Sequence, residues 1–136
     1  MPSHAGQIAF PGGKIDPTDV SAEAAALREA QEEVGLDPAL AEVVGRLPDY
    51  LSGSGYRIAP VVALIDAGAR LAPNPAEVDY IFEVPFSFLM NARNHRTGSR
   101  ELMGRQRHFF EMPFEGHYIW GVTAGIIRVL HDRIHP

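Results

Sequence analysis

The sequence predicts an α+β fold built as one layered domain over residues 1–136, with runs of short strands around two helices. Three observations lead to this prediction. A chain of 136 residues with 46% hydrophobic content is large enough to bury a core of its own. Apolar residues recur at helical spacing in two segments, and β-branched and aromatic runs recur in several others. Thirteen glycines and eleven prolines supply turns between short elements, and no repeat or interdomain linker interrupts them.

Two helices account for the helical part of this prediction. The first runs from a cap at Asp19 or Ser21 to about Val34, because an alanine run favours helix and Gly35 suits the position after a helix end. The second is the closing segment Gly121–Ile134, whose apolar residues fall at helical spacing.

Strands and a further short helix fill the rest of the chain. Strands are predicted at Gln7–Phe10, Ala41–Leu47, Tyr56–Ile65, Val78–Phe86 and Arg107–Met112. The letters "SFLM", residues 87–90, predict a short helix.

Composition excludes several functions. A net charge of −5 argues against binding to nucleic acid or to an anionic membrane surface. No cysteine is present, so disulfides and thiolate metal sites are excluded, while oxygen and imidazole ligands remain. No apolar run approaches the roughly 18–20 residues that span a bilayer. The opening "MPSHAGQIAF" lacks the layout of a signal peptide, so we expect a cytoplasmic protein.

The stretch "LREAQEEVGL" places three glutamates, Glu29, Glu32 and Glu33, within five residues near a helix end. Each like-charge pair at helical spacing costs about 0.2–0.5 kcal/mol, and the negative end of the helix dipole adds to that cost. Arg28 can pair with Glu32, but one cation cannot offset three acids. The three carboxylates lie opposite the apolar stripe of the helix. Two interpretations stay open: a solvated helix face, or a site for a hard cation such as Mg²⁺ or Mn²⁺.

The loop before this helix carries two glycines in "FPGGK". Gly12 and Gly13 allow backbone N–H groups to approach a ligand closely, as a phosphate requires, although an ordinary tight turn uses the same residues. The turn and the acidic helix together favour the site for a ligand.

These residues resemble a known family. The segment "GGKIDPTD…ALREAQEEVGL" is similar to the signature of the Nudix hydrolases, G-x5-E-x7-R-E-U-x-E-E-x-G-U, where U is a bulky apolar residue. Matching residues are Gly13, Arg28, Glu29, Glu32, Glu33, Gly35 and Leu36. Two positions depart from the pattern: Ala30 replaces a larger apolar residue, and Asp19 stands at the first glutamate with eight residues before Arg28 instead of seven.

Two further segments resemble the coenzyme A diphosphatase branch of that family. "SHAGQIAFPGGK", residues 3–14, is similar to the upstream motif of the branch, and "WGVTAGIIRVL", residues 120–130, is similar to its C-terminal segment. The resemblance implies a Nudix-type α/β/α sandwich with a mixed β-sheet. Only three residues precede His4, so the N-terminal strand of that sheet is expected to be lacking. A shortened domain, another segment or a partner chain in a homodimer would each account for this.

The resemblance also implies an activity. Members of the branch use Mg²⁺ or Mn²⁺ to hydrolyse the pyrophosphate of coenzyme A or its derivatives, giving 3′,5′-adenosine bisphosphate and 4′-phosphopantetheine. The expected partner is therefore a small nucleotide substrate. Two alternatives stay open: a Nudix enzyme acting on ADP-ribose or a nicotinamide dinucleotide, and a non-catalytic Nudix domain that binds a ligand.

Roles for particular residues follow from the resemblance. Glu33 and Glu29 are expected to be the principal metal ligands, with Glu32 a third or water-mediated one, and Arg28 is expected to orient these carboxylates. The Gly12–Gly13 backbone is expected to contact metal or phosphate.

The sequence leaves more than one candidate for the general base and for the residues that determine substrate specificity. Glu29 and Glu77 are both candidates for the base. His4 and Gln7 are candidates for the entrance to the pyrophosphate site. The segment from Arg93 to His108 contains five arginines, all within the fifteen residues that end at Arg107. This predicts either a phosphate site or a solvated basic loop. Trp120 is either a stacking platform for adenine or a core residue.

Overall fold

The computed structural model describes residues 9–15, 17–53 and 55–135. The chain divides into two compact units, the first ending at Phe82 and the second beginning at Glu83. Helices and antiparallel strand pairs occur together, which confirms the α+β class. The extent of a single domain over residues 1–136 stays a prediction.

Helix α1 comprises Ala22–Val34 and begins and ends where its capping residues predict. The hydroxyl of Ser21 accepts a hydrogen bond from the N–H of Ala24 at 3.0 Å, so Ser21, not Asp19, is the N-cap. Gly35 follows the helix with φ 68°, a left-handed conformation that glycine adopts at little cost.

The first unit also contains two antiparallel strand pairs. A 3-10 turn at Pro38–Leu40 precedes them. The strands are β1 at Ala41–Arg46, β2 at Tyr50–Leu51, β3 at Arg57–Ile58 and β4 at Val61–Ile65. Strand β1 pairs with β4, and β2 pairs with β3. The predicted strand Tyr56–Ile65 is therefore two strands. They are separated at Pro60, which has no N–H to donate to a ladder.

The predicted strand Val78–Phe86 is wrong. Its first residue is held in a turn, because the N–H of Val78 donates to the carbonyl oxygen of Asn74 at 2.8 Å. At its other end, Pro85 precedes the short helix α2, which comprises Phe86–Leu89. The helix predicted over residues 87–90 is thus present one residue earlier. The predicted strand Gln7–Phe10 begins outside the described residues, and Ala9 and Phe10 adopt no regular structure.

A β-hairpin dominates the second unit. Strand β5 comprises Arg96–Leu102 and strand β6 comprises Arg105–Glu111, joined by a two-residue turn. Both turn residues, Met103 at φ 54° and Gly104 at φ 77°, have the positive φ of a type I′ hairpin turn. Strand β6 was predicted two residues late, over Arg107–Met112, and β5 was not predicted. A 3-10 turn at Ala92–Asn94 precedes the hairpin.

The core of the second unit lies between the hairpin and helix α3, Gly121–Ile134, which has the predicted bounds. Met112 and Ile119 are buried, and the N–H of Met112 donates to the carbonyl oxygen of Ile119 at 2.8 Å. Ala124 and Ile127 supply the buried face of the helix.

Every strand pairing among the described residues is antiparallel, so the parallel pairing of a mixed sheet stays a prediction. In the part of the chain that the structure describes, no helix has the length and apolar character needed to cross a membrane.

Candidate functional site

The C-terminal end of α1, which carries the three glutamates, is fixed by a loop from farther along the chain. The N–H of Ala72 donates to the carbonyl oxygen of Val34 at 3.0 Å, and the N–H of Asn74 donates to that of Glu33 at 2.9 Å. The side-chain amide of Asn74 donates to the carbonyl oxygen of Glu32 at 3.3 Å. These bonds satisfy backbone carbonyls that a helix end leaves without partners. The positions of the glutamates therefore depend on the 72–74 loop as well as on the helix.

Arg28 joins the helix to the loop that precedes it. Its Nε and Nη2 atoms donate to the two carboxylate oxygens of Asp19, each at 3.0 Å, in a bidentate pair. Nη2 also donates to the carbonyl oxygen of Lys14 at 3.2 Å. The side chain of Asp19 is only 6% exposed, so this ion pair offsets part of the cost of burying a carboxylate. Asp19, the residue that replaces the first glutamate of the signature, thus positions Arg28.

The same guanidinium also contacts the acidic cluster. Its Nη1 atom lies 3.3 Å from Oε1 of Glu29 and 3.3 Å from Oε2 of Glu32, so the predicted pair between Arg28 and Glu32 is present. The side chain of Glu29 is 14% exposed, whereas that of Glu32 is 52% exposed. One cation therefore serves three carboxylates, and the cluster remains negatively charged.

The surroundings of Glu33 affect its ionisation. Burial raises the pKa of Glu33 above its ordinary value, opposed by a hydrogen bond that the N–H of Gly12 donates to Oε2 at 3.0 Å. The charges of Glu29, Glu77 and Glu32 raise the pKa further. Glu77, a candidate base more than forty residues along the chain, is thus close enough for its charge to act on Glu33.

The two glycines of the loop have different structural requirements. A Cβ atom at Gly13 would lie 2.5 Å from Oε1 of Glu29, so a side chain there would displace that carboxylate. A Cβ atom at Gly12 would meet nothing within 4 Å. Gly12 contributes its N–H to Glu33, and Gly13 contributes the space that Glu29 occupies.

The donor atoms of this cluster fit a hard divalent cation by their chemistry. Carboxylate oxygens are the protein ligands that Mg²⁺ and Mn²⁺ prefer. Burial is the main cause of the raised pKa of Glu33, and the neighbouring acids add negative charge that a cation would offset. Among the described residues, no three acidic or histidine side chains are already gathered in a ligand geometry. The reason is visible in the contacts: Arg28 engages Glu29 and Glu32, and Gly12 engages Glu33. Cation binding would require these carboxylates to turn.

The remaining predicted residues either belong to the second unit or are not among the residues that the structure describes. His4 and Gln7 lie outside the described residues. The arginine segment and Trp120 belong to the second unit, where four of the five arginines lie on the β5–β6 hairpin and Arg93 lies in the 3-10 turn before it.

Two contacts around the cluster were not predicted from the sequence, that of Asp19 with Arg28 and that of Asn74 with the end of α1. The bidentate pair of Asp19 with Arg28 had one available signal, because Asp19 occupies the position of an acid in the signature. The anchoring of α1 by Asn74 had only a weak signal, the Asn-Pro pair that is typical of a turn.

The acidic end of α1 is thus tied by Arg28 to the glycine-rich loop that precedes the helix. A model of the NUDIX domain family matches residues 2–113, and the chain belongs to that family. One similar protein, from Photorhabdus laumondii, is 42% identical over 132 residues, covering 97% of this chain and 71% of the relative. Another, from Escherichia coli K12, is 42% identical over 131 residues, covering 96% of this chain and 68% of the relative.

Both relatives carry the name "Uncharacterized Nudix hydrolase NudL". Identity of this extent over nearly the whole chain makes the protein a Nudix hydrolase, an enzyme of a family that acts on small-molecule substrates and generally uses divalent cations such as Mg²⁺ or Mn²⁺.

Proposed function

We propose that the protein hydrolyses the pyrophosphate bond of coenzyme A or its derivatives with the help of Mg²⁺ or Mn²⁺. The products are 3′,5′-adenosine bisphosphate and 4′-phosphopantetheine. The observation that carries the metal-dependent part is the setting of Glu33, a half-buried carboxylate whose pKa is raised by burial and by three neighbouring acids. The choice of coenzyme A rests on the two sequence segments that resemble the coenzyme A diphosphatase branch.

Glu33 and Glu29 are the proposed principal ligands, and Glu32, the most exposed of the three, is a third ligand or acts through water. A divalent cation held there supplies positive charge to the pyrophosphate oxygens and lowers the pKa of a bound water. Arg28 orients Glu29 and Glu32 through Nη1 while its other nitrogen atoms are held by Asp19. A rigid anchor of this kind limits the carboxylates to few arrangements.

The loop glycines and Glu77 complete the proposed site. The Gly12–Gly13 backbone would contact metal or phosphate, and the lack of a side chain at Gly13 leaves the space that the Glu29 carboxylate occupies. Glu77 is the proposed general base that takes a proton from the attacking water, with Glu29 as the alternative. His4 and Gln7 are proposed to line the entrance to the pyrophosphate site. A homodimer and a cytoplasmic location belong to the same proposal.

The experiment that tests this function supplies purified protein with Mg²⁺ and, in separate reactions, coenzyme A, ADP-ribose and reduced nicotinamide dinucleotide. The expected result is cleavage of coenzyme A to the two products named above, identified by mass. Faster cleavage of ADP-ribose or of the reduced nicotinamide dinucleotide would identify that compound, instead of coenzyme A, as the substrate. Binding of a nucleotide without cleavage would favour a non-catalytic domain.

The matched variants are Glu33→Gln and Glu23→Gln, which remove one carboxylate each from α1. Glu23 lies in the first turn of the helix, apart from the cluster. We expect Glu33→Gln to lower turnover by at least about 100-fold, because each preorganised charge in such a site contributes several kcal/mol to the transition state. Near wild-type turnover of Glu33→Gln would discard the assignment.

A further inference from the structure

The β5–β6 hairpin gathers arginines on one of its two faces. Residues paired across an antiparallel ladder share a face, and so do residues two apart on one strand. Arg100 pairs with Arg107, and Arg96 pairs with Glu111, without any register shift between them. Four arginines therefore lie on the same side, and we call them the arginine face: Arg96, Arg100, Arg105 and Arg107.

The other side of the hairpin is the side that contacts helix α3. Phe110 pairs with Thr97 on that side, and the guanidinium of Arg128, a helix residue, lies 5.0 Å from the centre of the Phe110 ring. All four arginines of the arginine face are exposed. Packing against the helix therefore does not account for their placement.

No carboxylate of the described residues forms an ion pair with any arginine of this face. The acid nearest in register, Glu111, accepts a hydrogen bond from the hydroxyl of Tyr118. Arg100 and Arg107 stand directly opposite each other, and like charges in that position destabilise a sheet. An acidic chain with net charge −5 thus gathers four arginines on a hairpin face whose paired strand residues include one acid, Glu111.

One of these cations is held in place by an aromatic ring. The guanidinium of Arg100 lies 5.4 Å from the centre of the Trp120 ring. Trp120 is itself held between Tyr118, stacked at 5.9 Å, and Phe109, in edge contact at 5.3 Å. A guanidinium that stacks on a ring uses its flat surface, so its in-plane N–H donors remain directed outward. This arrangement orders a donor fork in advance of a ligand.

We propose that the arginine face binds the phosphate monoester of a nucleotide. Such a group carries about two negative charges and three acceptor oxygens, which match several arginine forks at once. It would remove the repulsion between Arg100 and Arg107 and use donors that lack a carboxylate partner. That the ligand is a nucleotide rests on the proposed function, because coenzyme A carries a 3′-phosphate monoester besides its pyrophosphate. The anion site itself rests on the hairpin alone.

The chain provides its own reporter for this site. Trp120 is the single tryptophan, so ligand binding at the arginine face should change the intrinsic fluorescence of the protein. The matched ligands are coenzyme A and 3′-dephospho-coenzyme A, which differ only in the monoester. The titration contains a chelator and no divalent cation, so that hydrolysis does not take place, and calorimetry repeats it without reliance on fluorescence.

We expect coenzyme A to bind about tenfold more tightly than its dephospho form, because a charge-assisted bidentate contact contributes roughly that factor. Arg107→Gln and Arg105→Gln should each abolish most of the difference. The ring of Trp120 contacts Arg100, Phe109 and Tyr118, so these two substitutions leave its described ring contacts in place. The control is Arg70→Gln, which removes the same charge from an exposed position in the first unit and should retain the preference.

Equal affinities for the two ligands would overturn the proposal, and so would a loss of preference in Arg70→Gln as large as that in Arg107→Gln. Salt-sensitive self-association that Arg107→Gln abolishes, without any ligand preference, would assign the face to a second copy instead. Cleavage of coenzyme A with Mg²⁺ in a protein that shows no preference would overturn this inference alone. A preference without cleavage would support it and contradict the proposed function.

Discussion

The end of α1 and the β5–β6 hairpin each gather charges of one sign, but they differ in how these charges are held. At the helix end, Glu29, Glu32 and Glu33 have partners inside the chain, which are the guanidinium of Arg28 and the N–H of Gly12. On the hairpin, strand register places the arginines side by side, and Arg100 has an aromatic ring as its contact.

This difference separates two ways of preparing a site for a charged ligand. Internal partners fix the acids at the helix end and offset part of their charge, so removing a partner should weaken the fold. On the hairpin, Arg107 lies directly opposite Arg100 and forms no ion pair with a carboxylate of the described residues, so removing it should strengthen the ligand-free fold. Four variants test this comparison, and the largest expected effect comes first.

Arg28→Ala should lower the free energy of unfolding by about 2 kcal/mol, because it leaves the almost buried carboxylate of Asp19 without its bidentate partner. Urea denaturation measures this loss. Arg28→Lys should recover little of it, since an ammonium group cannot reproduce the fork. If Arg28→Ala unfolds at the wild-type urea concentration, Arg28 does not fix the helix end.

Gly13→Ala should weaken Mn²⁺ binding and turnover by about tenfold, since the added Cβ displaces Glu29 and a misplaced catalytic group costs at least that much. The free energy of unfolding should change little, because the displaced atoms are the end of a flexible side chain. Gly12→Ala adds a Cβ into open space and keeps its N–H, so its effect should be smaller. Equal effects of the two variants would show that the contact with Glu29 is not responsible.

Arg107→Gln should raise the free energy of unfolding by about 0.5 kcal/mol in the absence of nucleotide, because it removes the like-charge pair with Arg100. Thermal unfolding at low ionic strength measures the gain, which should shrink as salt is added. Arg70→Gln is the control for the change in net charge. A less stable Arg107→Gln would mean that the arginine has a partner within the fold.

Glu33→Gln should slightly raise the melting temperature in the absence of divalent cations near neutral pH. The pKa of Glu33 is raised in the folded protein, so its ionised form disfavours folding once the pH exceeds the ordinary value. The wild-type protein should therefore lose relative stability as the pH rises through that pKa, and the difference should vanish in acid. A variant that is less stable at every pH would contradict the role of burial and neighbouring acids.

The local rules of helices predicted the framework that carries the acids. Ser21 and Gly35 mark the bounds of α1 because capping depends on residues next to the helix. The strand Val78–Phe86 was wrong because its alternating pattern was overridden by a turn at Asn74 and by Pro85. Strand β5 was not predicted because its sequence "RTGSREL" is mostly polar. Its strand conformation depends on pairing with β6, which its composition does not indicate.

In the candidate site too, some contacts could be predicted from the sequence and others could not. The spacing of Arg28 and Glu32 within one helix predicted their contact, because residues four apart lie on the same face. The contacts of Arg28 with Asp19 and of the 72–74 loop with the helix end join residues far apart in sequence. Such contacts depend on the folded path of the chain, which no local pattern specifies.

The central claim is that the glutamates at the end of α1 bind a divalent cation. Titration of Mn²⁺ into wild-type protein, Glu33→Gln and Glu23→Gln, followed by calorimetry, tests it most directly. We expect the wild-type protein and Glu23→Gln to bind Mn²⁺ with similar affinity, and Glu33→Gln to bind it at least about tenfold more weakly. Equal affinity in all three proteins, or no binding by any of them, would contradict it.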